Sequence, residues 1–318
     1  MRTRRAVAAA LVLAAVVALA PACSDPAVED PEASVPEVDT GPLVVALAGR
    51  PAAVAAGDGL LWVGDDERGL VLRLDATDGS LVGEPIPVSP TPRAIAVGPD
   101  VVWVADADGT VTRLDPTTGH VVGPTITLGG ALVDIVVDGG GAWVGDIEAA
   151  TVRPVGRDGG AGLAISVPAG VVRLAMAGER MWVTGIESSV TPIHLATGAV
   201  GEPVPVGTGP IGMAVDGDTL WVTNSDDRTV SRLSADDGSP LGPAVAVGPA
   251  PIAIVVDGDD VWVLDQDGPG LTRLDRSDGH KVGESVVLPM RPRGLAVTPT
   301  GIWVVGVNPS VAVLVRPS

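Results

Sequence analysis

The sequence predicts an all-β fold: a seven-bladed β-propeller with four antiparallel strands per blade. The first observation is a period. Seven tryptophans stand at Trp62, Trp103, Trp143, Trp182, Trp221, Trp262 and Trp303, separated by 41, 40, 39, 39, 41 and 41 residues. Such a spacing marks a repeat architecture, and the content of one unit selects the kind. The second observation is that content: short alternating apolar segments bounded by Gly, Pro and Asp, with no apolar stripe of helical period. That is the pattern of antiparallel strands joined by hairpins, four to a unit. The third observation is that residues 292–315 supply three such segments while residues 42–51 align with the fourth segment of the next unit. A strand at about 43–47, antiparallel to 311–315, would close the ring and pair both loose edges.

Taken in chain order, residues 1–22 read as a signal peptide, because Arg2, Arg4 and Arg5 precede an apolar run from Ala6 to Ala20. Cys23 is the only cysteine and follows Ala20-Pro21-Ala22, so an intrachain disulfide is excluded. The junction resembles a bacterial lipobox, which implies that Cys23 is the lipidation site and that the protein is held on the extracytoplasmic side of a cell membrane. An ordinary A-x-A signal cleavage at the same bond is the alternative. Residues 23–40 alternate prolines with Asp and Glu, lack the apolar content to pack, and read as an acidic tether. The propeller is expected over residues 41–318. With 20 basic and 39 acidic residues, the chain is too negative for a nonspecific grip on nucleic acid.

Within a unit, strand A reads Pro-x-x-apolar-Ala-Val, strand B apolar-Trp-Val, strand C Val-Thr-Arg-Leu-Asp, and strand D is a last short apolar segment. Strand B is covered by neighbouring blades on both faces, and a chain with no Phe or Tyr has only Trp to fill so wide a gap. The seven tryptophans are therefore core. Three residues after each Trp stand Asp65, Asp106, Asp146, Gly185, Asn224, Asp265 and Gly306, where an Asx side chain can bond the amides of the B-to-C turn. Asp75, Asp115 and Asp275 suit the same role at the other face, and Arg73, Arg113, Arg232 and Arg273 in strand C are expected to be structural.

The unit around "WVTN", Trp221 to Asn224, resembles the YVTN repeat of bacterial surface-layer-like β-propellers, with tryptophan in the tyrosine place. More distantly it is similar to the propeller of streptogramin (virginiamycin B) lyases. Only the fifth unit has the Asn of the tetrad, so the likeness is to the pattern rather than the letters. The lyase resemblance implies a histidine-bearing metal site over the channel. Here His120, His194 and His280 all fall in C-to-D turn regions of different blades, no Cys/His metal spacing occurs, and no nucleophile motif is present.

The candidate site residues are those where one blade fails to copy the others. Strand A lies innermost and carries small residues nine and seven places before Trp, as in Ala53/Ala55 and Ala94/Ala96, but Asp134 and Arg173 take the ninth place on adjacent blades. They read as a salt bridge near the axis or as a channel-lining site. Arg50, Arg93, Arg291 and Arg293 fall ten or twelve places before Trp in blades one, two and seven, which ring closure makes neighbours. They could hold an anionic ligand or a partner's carboxylate, or be neutralised by Asp65, Asp66, Glu67, Asp106 and Asp108 on the same face. The expected function is a non-catalytic binding or scaffolding module, monomeric, without cofactor, whose partner is a protein or small anionic ligand. The alternative is a metal-dependent lyase or hydrolase using Asp134, Arg173 and rim carboxylates.

Overall fold

A computed structural model describes residues 42–268 and 270–316 of the 318-residue chain. The expected signal peptide, Cys23 and the acidic tether lie outside the described residues. Seven antiparallel sheets follow one another, six of them built from strands consecutive in the chain. The first blade shows the plan: strand A at Pro51–Gly57, strand B at Leu60–Asp65, strand C at Leu70–Asp75, and a two-residue strand D at Ile86–Pro87. Strand B carries the tryptophan in its middle and is the most buried, because it has sheet partners at both edges and another blade against each face.

The seventh blade confirms the ring closure. Its strands Arg291–Thr298, Gly301–Val307 and Val311–Val315 are completed by Leu43–Ala46, which pairs antiparallel with the last of them, Leu43 opposite Leu314 and Ala46 opposite Val311. The closing strand is four residues long; Leu47 falls just beyond it but still donates its amide to the Ser310 carbonyl at 2.9 Å. It is the only strand D among the described blades longer than two residues, as its task of joining distant parts of the chain requires. The fourth blade departs at its outer edge, where strand C (Ser189–His194) pairs with two short segments, Ala199–Val200 and Val204–Pro205.

The core is divided among the seams. Each of seven buried clusters combines the tryptophan of one blade with strands of the next: Trp182 with Leu220, Val222 and Leu233 of strands B and C, for example, and Trp303 with Leu61, Val63 and Leu74 across the closure. No tryptophan is more than 6 % exposed. Truncating such a side chain to Ala costs about 3–5 kcal/mol in typical cores. The C-to-D turn of the following blade must come close to the indole. Gly238 (φ +76°) allows this, since a Cβ there would lie 2.8 Å from Cη2 of Trp182. A left-handed backbone and the absence of a Cβ are both needed at that point.

The strand C arginines are structural, as expected. Arg73, Arg232 and Arg273 stack over Trp62, Trp221 and Trp262 at 5.8, 5.6 and 5.7 Å from the ring centroids. Arg73 also donates to the Thr117 carbonyl and Arg232 to the Ser277 carbonyl, each in the next blade's C-to-D turn. These arginines tie blade to blade over the tryptophan.

Candidate functional site

Strand A begins the same way in six blades, with a β-bulge ten residues before the tryptophan. The pairing with strand B skips Ala52, Arg93, Val133, Ile252 and Arg293 in blades one, two, three, six and seven, and Ile211 with Gly212 in blade five. A bulge bends its strand and re-aims the side chain it carries. Together with Val172 of the unbulged fourth blade, these side chains form a seven-membered ring around the mouth of the axial channel, where Ile147, Arg173 and Gln266 complete a pocket of about 240 Å³. One wall residue from each blade makes the pocket axial.

This register sorts the four mouth arginines into two pairs. Arg93 and Arg293 are the bulged residues themselves, they line the pocket, and neither has a carboxylate partner among the described residues. Arg50 and Arg291, twelve places before Trp, are the neutralised pair. Arg50 meets Asp66 at 2.5 Å, which raises the Arg50 pKa, and Arg291 reaches Asp267 at 3.2 Å and Gln266 Oε1 at 3.1 Å. Of the expected acidic residues only Asp66 pairs with a mouth arginine, Arg50; Arg291 is paired instead by Asp267, and Arg93 and Arg293 by none among the described residues. Asp65 is taken by Arg68 at 2.5 Å, and Asp108 by Thr110 and Ser89, so neither serves Arg93 or Arg293.

Asp134 and Arg173 lie on adjacent blades but do not form the expected ion pair. Asp134 Oδ2 instead accepts the Leu174 amide at 2.7 Å, and the Arg173 guanidinium donates to the carbonyls of Val133 at 3.1 Å and Val172 at 3.4 Å. The backbone of the fourth blade presents its amide to the carboxylate before the side chain can. Burial pushes the Asp134 carboxyl upward, while the field of Arg173 and the bonds from the Leu174 and Ile135 amides pull it back. Arg173 thus keeps a face toward the pocket, which is lined by three guanidinium groups, the Gln266 amide and six aliphatic side chains.

Below this level the axis is apolar. A second cavity of about 490 Å³ is lined by the inner strands of blades one, four, five, six and seven, including Ala55, Met176, Met213 and Val255. The small residues expected along strand A leave this space open.

The B-to-C turn positions behave less uniformly than their spacing suggested. Asp65 Oδ1 accepts three turn or loop amides, from Arg50, Glu67 and Arg68, and Asp146 accepts those of Ala131, Glu148 and Ala149. Asn224 turns inward, donating to Thr229 Oγ1 at 3.0 Å and Ser231 Oγ at 2.9 Å, while Asp265 accepts from Thr272 at 2.6 Å. Asp106 is fully buried with neither carboxylate oxygen bonded, and burial, with a smaller push from Asp108, raises its pKa to about 7. Its turn is one residue shorter than that after Asp65, so the amides that bind Asp65 are not delivered. At the opposite face the Asx reading holds: Asp75, Asp115 and Asp275 each accept the amide two residues ahead.

A metal centre does not fit the residues at the mouth. Among the described residues no group of three or more His, Cys, Asp or Glu side chains is placed to share an ion. The histidines stand in the C-to-D regions, away from the arginines: His120 and His280 are exposed, and His194 lines a separate pocket with Glu179, Arg180, Asp218 and Asp236.

Comparison with known proteins bears mainly on the fold. Residues 168–314 match a family model described as outer membrane protein assembly factor BamB, a stretch of less than half the chain. No curated protein matches the sequence. Among solved structures the chain is similar to virginiamycin B lyase from Staphylococcus aureus at 16% identity and a TM-score of 0.74, over 87% of this chain and 99% of that one. It is similar to a streptogramin B lyase at 14% identity and a TM-score of 0.75, over 87% and 97% of the two chains. Hydrazine synthase of Kuenenia stuttgartiensis follows at 17% identity and a TM-score of 0.72, over 84% and 96%. At these identities the likeness is one of architecture, and function has to be argued from the site.

Proposed function

We propose that the protein is a lipid-anchored, extracytoplasmic propeller that works as a non-catalytic binding or scaffolding module through its arginine mouth. The observation that carries the reading is the pair Arg93 and Arg293, two guanidinium groups without carboxylate partners among the described residues, aimed by β-bulges into one axial pocket of a strongly acidic protein. Cations left unpaired amid an excess of carboxylates leave a place for an external anion. The anchor at Cys23 rests on the N-terminal sequence pattern, and the description of the partly matching family, an outer membrane assembly factor, is in keeping with an envelope setting and a protein partner. The lyase alternative has only the shared architecture in its favour, and the mouth lacks the donor set for a metal.

The test is cross-linking of the anchored protein in its own membrane, followed by identification of what co-purifies, with Arg93→Glu/Arg293→Glu as the comparison. Loss of a partner in the charge-reversed protein supports the mouth as the binding surface; an unchanged set of partners overturns it.

A further inference from the structure

The shape and lining of the mouth narrow the ligand further, on the premise that the mouth is the binding surface. We infer that the pocket takes a small aliphatic monocarboxylate, with the carboxylate between Arg93 and Arg293 and the hydrocarbon part on the ring of aliphatic side chains. Seven positions, one per blade, supply that ring, and apart from the two arginines they are Ala52, Val133, Val172, Ile211 and Ile252. The apolar part of a ligand therefore meets aliphatic side chains from the five blades without an arginine at this position, with Arg173 and Gln266 as the polar groups among them. The charged part meets guanidinium on the one sector formed by blades seven, one and two, where Ala52 between the arginines leaves room.

Each feature selects for part of this chemistry. A guanidinium presents a planar fork of N–H donors that matches a carboxylate with two parallel bonds. Arg173, held across the ring by the Val133 and Val172 carbonyls, adds positive potential without being free to swing. Its charge interacts with the buried Asp134 carboxylate on the adjacent blade, whereas Arg93 and Arg293 have no carboxylate partner among the described residues. Gln266 is already engaged, accepting from Arg291 and donating to the Pro292 carbonyl, and offers little to a ligand with further polar groups. A polyhydroxylated or multiply charged ligand would bury polar groups against Val and Ile without partners, which is unfavourable.

Size follows from volume. The pocket holds about 240 Å³, below the ~300–1,000 Å³ of sites for drug-sized ligands. A volume on this scale suits a short-chain acid, and hexanoate is an intermediate length of the series that tests it.

The experiment is calorimetric titration of the purified protein with acetate, butyrate, hexanoate and decanoate, and with inorganic phosphate and hexylamine as controls. Affinity should rise about fourfold per added methylene, the factor that corresponds to burying one CH₂, up to hexanoate and then level off. Phosphate and hexylamine should bind at least tenfold more weakly than hexanoate. Arg93→Glu/Arg293→Glu should abolish hexanoate binding while the thermal transition remains within a few degrees of the parent. Equal binding of phosphate and hexanoate, or no dependence on chain length, would overturn the assignment even if the charge-reversed protein misfolds, because those readings come from the native chain. Loss of co-purifying partners on charge reversal, with no carboxylate bound by the native protein, would leave the mouth as a binding surface and remove only the ligand assigned to it.

Discussion

Replacing Asp106 with asparagine should stabilise the protein, and more so as the pH rises. The native carboxylate is buried with both oxygens unbonded, and its pKa is raised from 3.8 to about 7. A carboxyl whose folded pKa is raised binds its proton more tightly in the native state. Its contribution is therefore intact below the unfolded value near 3.8 and is lost progressively as pH climbs through about 7. Each pKa unit corresponds to about 1.4 kcal/mol, so relative to acid the raised pKa costs roughly 1.5 kcal/mol at pH 5, where only the unfolded carboxyl ionises, and roughly 4 kcal/mol at pH 8, where the native one ionises as well. Blade five shows what asparagine does in that register: Asn224 donates to Thr229 and Ser231, and blade two has Thr110 and Thr112 in the equivalent places of strand C. Asp106→Asn thus removes the charge that burial opposes and puts in its place the side chain that blade five carries at this register. Thermal unfolding of both proteins at pH 5 and pH 8 measures the effect, the difference at each pH cancelling the other titrating groups. The variant should melt several degrees higher at pH 8, with a smaller advantage at pH 5, given about 2–4 °C per kcal/mol for domains somewhat smaller than this one. A variant no more stable than the parent at pH 8, or an advantage that does not shrink toward pH 5, would refute the reasoning.

Two further perturbations probe the channel and the closure. Arg173→Met removes the cation that opposes the burial-driven rise of Asp134, so the carboxyl should move further upward and the stability lost should be larger at pH 8 than at pH 5. Denaturation at the two pH values checks this, and a pH-independent loss would mean that Arg173 matters only through the Val133 and Val172 carbonyls. Val45→Asp places a charge in the closing strand, where Val45 packs on the seam that contains Trp303 and Leu314. It should lower stability by about 2 kcal/mol or more and lower the melting temperature accordingly. A melting temperature equal to that of the parent would show that the ring does not depend on this pairing.

The repeat was legible because its signals are local and recur. A mid-strand tryptophan, Gly and Asp at turns, and alternation of apolar residues each follow from backbone geometry within one unit, and seven copies make the count plain. Ring closure by Leu43–Ala46 was legible for a related reason, since a unit with three strands must find its fourth elsewhere. The site was only partly legible. Spacing from tryptophan placed Arg50, Arg93, Arg291 and Arg293 on one sector of one mouth, but it treated ten and twelve residues as equivalent. A signal that separates them does exist: Arg93 and Arg293 each directly follow a proline that opens the blade, the place where the bulge forms. Arg50 and Arg291 precede that proline and fall beside the acidic turn.

Sequence by itself determined the fold class, the number of blades, the partners across the closure and the burial of the tryptophans, because each depends on a period or on a pattern that backbone chemistry repeats. Tertiary structure alone decided which charges are satisfied. Asp134 bonds the Leu174 amide rather than Arg173, Asp106 loses the amides that hold Asp65, and Arg93 and Arg293 are left facing the axis while Arg50 and Arg291 are paired. Such outcomes turn on ångström distances between segments 15 to 40 residues apart, where a shift of one residue in a turn or a bulge exchanges one partner for another.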